Sequence, residues 1–368
     1  FYLSVHWVVS SASSSVNVGF VPSMEATLAT PPIRETLSSK VPDPTIPRET
    51  YLSDFETFLL ERAEGLEEDL RELARNALCI GGKRIRPTLV HACGNDNVET
   101  TADLVKAGAI VEFVHVATLV HDDVLDDASI RRGRRSLYAS HGATAAILLG
   151  DALFAHALEM AAEFPGSEVC RWVAAATRRT CAGEIRQSFL RRDYALSLSE
   201  YRRIIEAKTA ELFRVSCFLG ASLSNRDDVT CELVGEFGRR LGVAYQIYDD
   251  LADVFGQEED LGKTLGRDLA HGKVTLPTIT LFSKLSQSES TALLENLQNM
   301  APEPDSGLIR EIRHLLRQNG VLADSRACLA KELEATGTIL DELEDDAMVS
   351  RLDDLRRVIL ARLETLDD

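Results

Sequence analysis

The stretch Ala107–Val120, "AGAIVEFVHVATLV", breaks its apolar run only at Glu112, His115 and Thr118. A helix that is apolar nearly all round belongs in a core, so this segment predicts a central helix and not a surface one. From Thr88 to Leu276 there is a single proline, Pro165, and no two-residue alternation bounded by hairpin turns. That pattern predicts an all-α body. Helix starts are marked as well: "SDFE" at Ser53–Glu56 and "SLSE" at Ser197–Glu200 read as capping boxes, and "PGSE" at Pro165–Glu168 ends one helix and opens the next. Near the C-terminus Leu352, Leu355, Ile359, Leu363 and Leu366 recur at spacings of three and four, which predicts a packed surface helix. Five of the eleven prolines fall between Pro31 and Pro47. Residues 1–47 therefore read as a disordered or linker tail, and residues 48–368 as one large all-α domain.

Composition narrows the chemistry. With 368 residues, 45% hydrophobic and 27% charged, the chain has the make-up of a soluble globular protein with a sizeable core. A net charge of -18 and a pI near 5.0 exclude nucleic acid as the main partner, because phosphate-backbone binding needs a basic footprint. An anionic substrate would need local cations or metal ions. Seven cysteines without a CxxC pair fit reduced thiols in the cytoplasm. Residues 1–23 carry no Asp, Glu, Lys or Arg, and their longest apolar run is five residues. They predict neither a membrane span nor a basic secretory leader. Met24, the first methionine, is the expected native start, a transit peptide being the alternative.

Directly after the core segment comes "HDDVLDDASIRRG", with Asp122, Asp123, Asp126 and Asp127 inside six positions. Like charges three or four apart on a helix repel by about 0.2–0.5 kcal/mol per pair. Asp122 and Asp126 are one turn apart and face the same way, Asp123 lies alongside, and Asp127 reads as solvated. Three carboxylates at the mouth of a buried helix suit an oxygen cage for magnesium, although a solvated acidic helix end is the plainer reading of this cluster alone. The arrangement recurs: "YQIYDDLADVFG" supplies Asp249, Asp250 and Asp253 after another apolar approach. Magnesium takes oxygen ligands and is usually completed by substrate phosphates. Two such clusters suggest a diphosphate held between them.

Cations stand where that reading needs them. "GGKRIRP" gives Lys83, Arg84 and Arg86, "RRG" gives Arg131 and Arg132, "AKTAELF" gives Lys208 beside Thr209, and "GKTLGRDLAHGKVTLP" gives Lys263 and Lys273. Arg offers planar paired donors and Lys a point charge, both suited to phosphate oxygens. The glycine spacings match neither a Walker A loop nor a dinucleotide fingerprint.

In this order, the five motifs resemble those of the trans-type isoprenyl diphosphate synthases, the polyprenyl synthetase family, over roughly residues 50–330. The resemblance implies an all-α homodimer, each subunit a helical bundle around a central cavity. It implies three magnesium ions and the condensation of isopentenyl diphosphate with an allylic diphosphate. Carried onto this sequence, Asp122 and Asp126 hold two metal ions and Asp249 the third, with Asp123, Asp250 and Asp253 nearby. Arg131, Lys208 and Lys263 hold the allylic diphosphate, with Thr209, Gln246 and Lys273 close by. Lys83, Arg86, His115 and Arg132 hold isopentenyl diphosphate. Arg135 departs from the pattern, standing where a proline is common.

Product length would depend on residues preceding Asp122 on the same helix. Ala117 and Thr118 lie about 6–8 Å below it at 1.5 Å per residue. In the family a bulky aromatic there stops the growing tail, so two small residues imply a geranylgeranyl or longer product. Val114 and Phe113, one turn deeper, are candidates for a later floor. Two alternatives remain at this level: a class I terpene cyclase, and a non-catalytic subunit of a heteromeric prenyl synthase.

Overall fold

Burial of one face after another decides where the helices run. In the computed structural model the described residues are 49–79, 81–94, 98–256, 265–298, 306–364 and 366, all within one unit spanning residues 39–368. The N-terminal tail with Met24, and the segment holding Lys263, lie outside the described residues. Among the described residues the helices that frame the site are α1 Glu49–Glu64, α2 Glu68–Leu78, α3 Ile85–Cys93, α4 Val98–Leu125, α5 Leu137–Ala162, α6 Glu168–Phe189, α7 Leu198–Ile205, α8 Glu211–Leu223 and α9 Asp228–Phe255. Further helices follow, among them Arg267–Ala270, Leu276–Lys284, Val321–Asp341 and Asp346–Glu364. Among the described residues the only strands are the antiparallel pair Ile130–Arg131 and Arg134–Arg135, so the all-α expectation holds.

The expected helix starts fare unequally. Ser197 caps α7 by accepting from the Glu200 amide at 3.2 Å, and the turn at Pro165–Ser167 separates α5 from α6 as expected. "SDFE", however, is not a helix start. α1 already begins at Glu49, and Ser53 sits inside it with its carbonyl accepting from the Thr57 hydroxyl. The cause is Tyr51, which is buried with its hydroxyl donating to the Pro87 carbonyl at 3.0 Å and so extends the helix backwards. Leu352, Leu355 and Ile359 are buried along the C-terminal helix, as their spacing requires.

Two apolar cores share α8. One gathers Phe55, Phe113, Leu149, Leu153 and Val173 from α1, α4, α5 and α6, together with Leu212 and Val215 of α8. The other gathers Phe213 and Cys217 from the opposite side of α8 with Phe237 and Leu241 of α9 and Leu329 and Leu352 further on. Each large side chain so buried contributes about 1.5–3 kcal/mol. Helices α4 and α5 are both long and apolar enough to cross a bilayer. The fold buries 72% of the apolar window in Thr101–Leu125 but only 39% of that in Leu137–Ala162.

Between α7 and α8 the chain does not break but widens into a π-helical turn, Glu206–Ala210. Such turns often sit at functional sites. Glycines hold it from two sides. A β-carbon on Gly183 of α6 would lie 2.5 Å from the Lys208 amide nitrogen, and one on Gly242 of α9 would lie 2.6 Å from Ala210 Cα.

Candidate active site

The C-terminal end of α4 carries Asp122 and Asp123, the turn after it carries Asp126, and each meets a cation from another part of the chain. Asp122 Oδ2 lies 3.6 Å from Lys208 Nζ. Asp126 uses both oxygens: Oδ1 accepts from Arg191 Nη2 and Oδ2 from Lys273 Nζ, each at 2.6 Å. Burial alone would raise the Asp126 pKa, yet Lys273, Lys208 and Arg191 hold it at about 2. The mutual repulsion of Asp122 and Asp126 is thus offset by cations that arrive from the turn after α6, the π-turn and the segment after Ala270.

Asp123 points elsewhere. It accepts from Arg131 Nε at 2.9 Å and lines a cavity of about 220 Å3 on the adjacent face of α4, with Arg84, Arg132, Arg134 and His141. Its burial raises its pKa, against the pull of Arg131. Adjacent helix positions differ by about 100°, which separates Asp123 from Asp122. Asp127 is exposed, with a positive φ, and accepts from the Tyr138 hydroxyl at 2.5 Å.

On α9, Asp249 is half-buried and Asp250 buried. Asp250 ends a polar chain: the Thr209 hydroxyl donates to Gln246 Oε1 at 2.7 Å, Gln246 Nε2 to Asp250 Oδ1 at 2.8 Å, and the Tyr201 hydroxyl to Asp250 Oδ2 at 2.5 Å. Burial and then the nearby Asp268 raise the Asp250 pKa well above its ordinary value, against the Tyr201 and Gln246 hydrogen bonds. Asp253 accepts from the Asp268 amide at 3.1 Å and so fixes the turn leading to Lys273. Within this second motif, Asp250 and Asp253 therefore orient neighbouring segments, while Asp249 is the position that the family pattern gives to the metal.

Lys208 projects from the π-turn onto α6. Its Nζ pairs closely with Glu184 and donates to Gln187 Oε1 at 2.9 Å. Burial would lower its pKa, but Asp122, Glu184 and Asp126 together raise it, so the ammonium stays protonated. Glu184, Gln187 and Arg191 are site residues that the motifs did not reveal. Glu184 and Gln187, three apart on α6, share one side of that helix, which is the signal they leave in the sequence, while Arg191 lies in the turn just after it.

The cations expected to hold isopentenyl diphosphate cluster loosely. The Arg86 guanidinium lies 4.9 Å over the Phe213 ring, and its Nε is buried with no hydrogen-bond partner. Arg132 is exposed and packs on the backbone at Gly82, where a β-carbon would come within 2.7 Å of its Nη1. Lys83 is exposed. His115, half-buried, is held well below its ordinary pKa by burial and then by Arg86, Arg132 and Arg131. Arg84, a member of the same basic run, is turned inwards. It donates to Glu112 Oε1 at 2.7 Å, to Glu56 and to the Leu78 carbonyl.

Among the described residues, no three His, Cys, Asp or Glu side chains already form a closed metal cage. The donors available, Asp122, Asp126 and Asp249, are hard carboxylate oxygens, and cations now supply the positive charge at two of them. That donor set fits magnesium, which leaves part of its shell to phosphate and water. Below Asp122 on α4, Ala117, Val114 and Phe113 are buried, and Phe113 packs against His156 of α5 at 5.2 Å between ring centroids. The Thr118 hydroxyl is turned back onto the His115 carbonyl at 2.6 Å.

Known proteins share this organisation. The family model described as polyprenyl synthetase matches residues 67–315. A heptaprenyl diphosphate synthase component 2 from Geobacillus stearothermophilus is 34% identical over 285 residues, covering 77% of this chain and 87% of that protein. A chloroplastic solanesyl-diphosphate synthase 2 from Oryza sativa is 33% identical over 269 residues, 68% of this chain and 66% of that protein. Among solved structures, a polyprenyl synthase from Caulobacter crescentus, complexed with calcium and isoprenyl diphosphate, aligns with a TM-score of 0.78 and 30% identity. The alignment covers 85% of this chain and 95% of that one. With a family match across most of the all-α body and the aspartate motifs at the ends of α4 and α9, the chain belongs to the polyprenyl synthetase family.

Proposed function

We propose that the protein is a trans-prenyltransferase that joins isopentenyl diphosphate head-to-tail to an allylic diphosphate, giving an all-trans polyprenyl diphosphate of geranylgeranyl length or longer. The observation that carries this reading is the meeting of Asp122 and Asp126 with Lys208, Lys273 and Arg191, a charge-balanced cluster at the mouth of an apolar helix. Asp122, Asp126 and Asp249 would hold magnesium, three ions by family resemblance, whose chemistry is to neutralise the leaving diphosphate. Lys208 and Lys273, with Arg131 and Lys263, steady the allylic diphosphate. Lys83, Arg86, His115 and Arg132 orient isopentenyl diphosphate. Stabilising charge at the leaving group lets the allylic carbon–oxygen bond ionise. The isopentenyl double bond then attacks the allylic cation and the new centre loses a proton, by family precedent to the released diphosphate. The apolar residues Val114 and Ala117 keep water from the cation.

A homodimer fits the surface of α5, where the apolar Ile147 and Leu148 remain 44% and 58% exposed. A second copy would cover this face. A reducing, cytoplasmic setting fits seven free cysteines. A heteromeric assembly is the second reading, favoured by the relative whose name marks it as one component of a heptaprenyl synthase.

The deciding experiment is a magnesium-dependent assay with labelled isopentenyl diphosphate and each allylic primer, followed by length analysis of the dephosphorylated products. Label incorporated by the pure chain supports the prenyltransferase. No incorporation with any primer overturns the homomeric reading and leaves the partner-dependent subunit.

A further inference from the structure

Asp126 is a metal ligand in the reading above, and this inference rests on that reading. Both of its oxygens are engaged, Oδ2 by Lys273 from the motif "AHGKVTLP" and Oδ1 by Arg191 at 2.6 Å. Arg191 belongs to none of the motifs that identify the family. It follows α6 in "FLRRDY", and the segment is anchored where the Arg192 amide donates to the Gly272 carbonyl at 2.7 Å. The same contact ties it to the turn that carries Lys273. Arg191 has a second contact, Nη1 to the Leu125 carbonyl at 3.4 Å, while its Nε is buried with no hydrogen-bond partner.

Beside the carboxylate that this reading gives to the metal, Arg191 thus holds a donor that no protein group uses, and a phosphate oxygen could accept from it. We propose that Arg191 is an additional diphosphate-binding residue, which clasps Asp126 while the metal is absent and turns to the substrate diphosphate when metal binds. The physical argument is competition for one carboxylate. Arg191 touches a carboxylate that would hold a divalent ion, and like charges on one carboxylate would repel. A diphosphate bound beside Asp126 would offer phosphate oxygens to a planar group with five donors. The anchored backbone keeps Arg191 at the site, and its flexible side chain makes the exchange. In the metal-free protein the clasp opposes metal binding. In the loaded protein the same residue favours the diphosphate, so metal and diphosphate bind more tightly together than apart.

The test measures binding rather than turnover, on wild type, Arg191→Gln and Arg191→Lys. Manganese binding alone, followed by electron paramagnetic resonance, should be about tenfold tighter in Arg191→Gln, because a competing cation is gone. Binding of inorganic pyrophosphate at saturating manganese, followed by calorimetry, should be about tenfold or more weaker, as expected for a lost charge-assisted hydrogen bond. Arg191→Lys should recover part of the pyrophosphate affinity. Lys273 still pairs with Asp126 in both variants, so neither leaves that carboxylate alone. If wild type binds manganese and pyrophosphate and Arg191→Gln matches it within twofold in both measurements, the assignment of Arg191 is overturned. If wild type itself binds no manganese–pyrophosphate, the functional reading falls and this assignment with it.

Discussion

Gly183 and Lys208 approach so closely that a β-carbon on Gly183 would stand 2.5 Å from the Lys208 amide nitrogen and 2.9 Å from its Cα. These are backbone atoms of a π-turn held from the other side by Gly242, so nothing flexible can yield. Gly183→Ala should push the turn away from α6 and loosen the pairing of Lys208 with Glu184 and Gln187. Overpacking of this kind costs about 1–3 kcal/mol in stability. A displacement near 1 Å at a positioning group can cost about a hundredfold in rate. The expected outcome is a KM for the allylic diphosphate raised about tenfold, with that for isopentenyl diphosphate little changed. Equal effects on both substrates would mean a general loss of fold instead.

The aspartate and cation motifs are legible because each is a short run of like chemistry at a helix end. Direction is not legible in the same way. Asp123 adjoins Asp122 in sequence yet turns to Arg131, and Arg84 sits in a basic run yet faces Glu112 in the core. The start of α1 was hidden because burying Tyr51 outweighs a good cap sequence at Ser53. Glu184, Gln187 and Arg191 look like the polar side of a surface helix. The close passage of the π-turn, set by two glycines far apart in sequence, brings Glu184 and Gln187 to the site through Lys208, and Arg191 reaches it from the turn after α6 through Asp126.

Arg84 should behave as a structural residue. It is 8% exposed, and Glu112, its partner at 2.7 Å, is 4% exposed. Removing one member of a buried pair leaves the other charge without compensation and costs about 3–5 kcal/mol. Arg84→Met should therefore lower the unfolding free energy, read from denaturant titration, by an amount of that order. The double variant Arg84→Met with Glu112→Leu should recover much of it. A loss below about 1 kcal/mol for Arg84→Met would contradict the role.

Magnesium and diphosphate should stabilise the fold together more than separately. Each ligand alone meets a cluster already balanced by Lys208, Lys273 and Arg191. With both present, Asp122 and Asp126 would hold the metal, and Lys208, Lys273 and Arg191 would be free to hold the diphosphate. At a hundredfold excess over the dissociation constant, the gain is about 2.7 kcal/mol. Differential scanning calorimetry with magnesium, with pyrophosphate and with both checks this. Additive shifts would count against the coupling.

His115 sets a pH dependence. Burial and the guanidiniums of Arg86, Arg132 and Arg131 hold its pKa well below the ordinary 6.5, so the folded protein keeps it neutral. The unfolded chain takes up a proton near 6.5 and the folded one does not. The stability associated with this group is therefore present above pH 6.5 and falls as the pH drops towards the folded value. His115→Asn should remove that part of the slope between pH 7 and pH 5. An anion on Arg86 and Arg132 offsets the cations that expel the proton. Binding of isopentenyl diphosphate near pH 6 should then draw protons in, seen as a binding enthalpy that differs between buffers of different ionisation heat. A buffer-independent enthalpy would refute the link.

In the proposed reaction, Ala117 would decide how far a growing chain can descend. It is fully buried on α4, five positions before Asp122, about 7.5 Å along the axis at 1.5 Å per residue. Phe113 lies a further turn below, against His156. A tail that starts at the diphosphate and runs beside this helix meets Ala117 first, where a methyl group leaves the way open. Ala117→Phe places a ring across that path before Phe113 is reached. The dominant product should shorten by one or more isoprene units, while ionisation at the diphosphate end continues. Total label incorporated per primer would fall less than the mean chain length. Phe113→Ala should act in the opposite sense and lengthen the product, provided the tail reaches that level. An unchanged product distribution in Ala117→Phe would place the tail on another face of the fold.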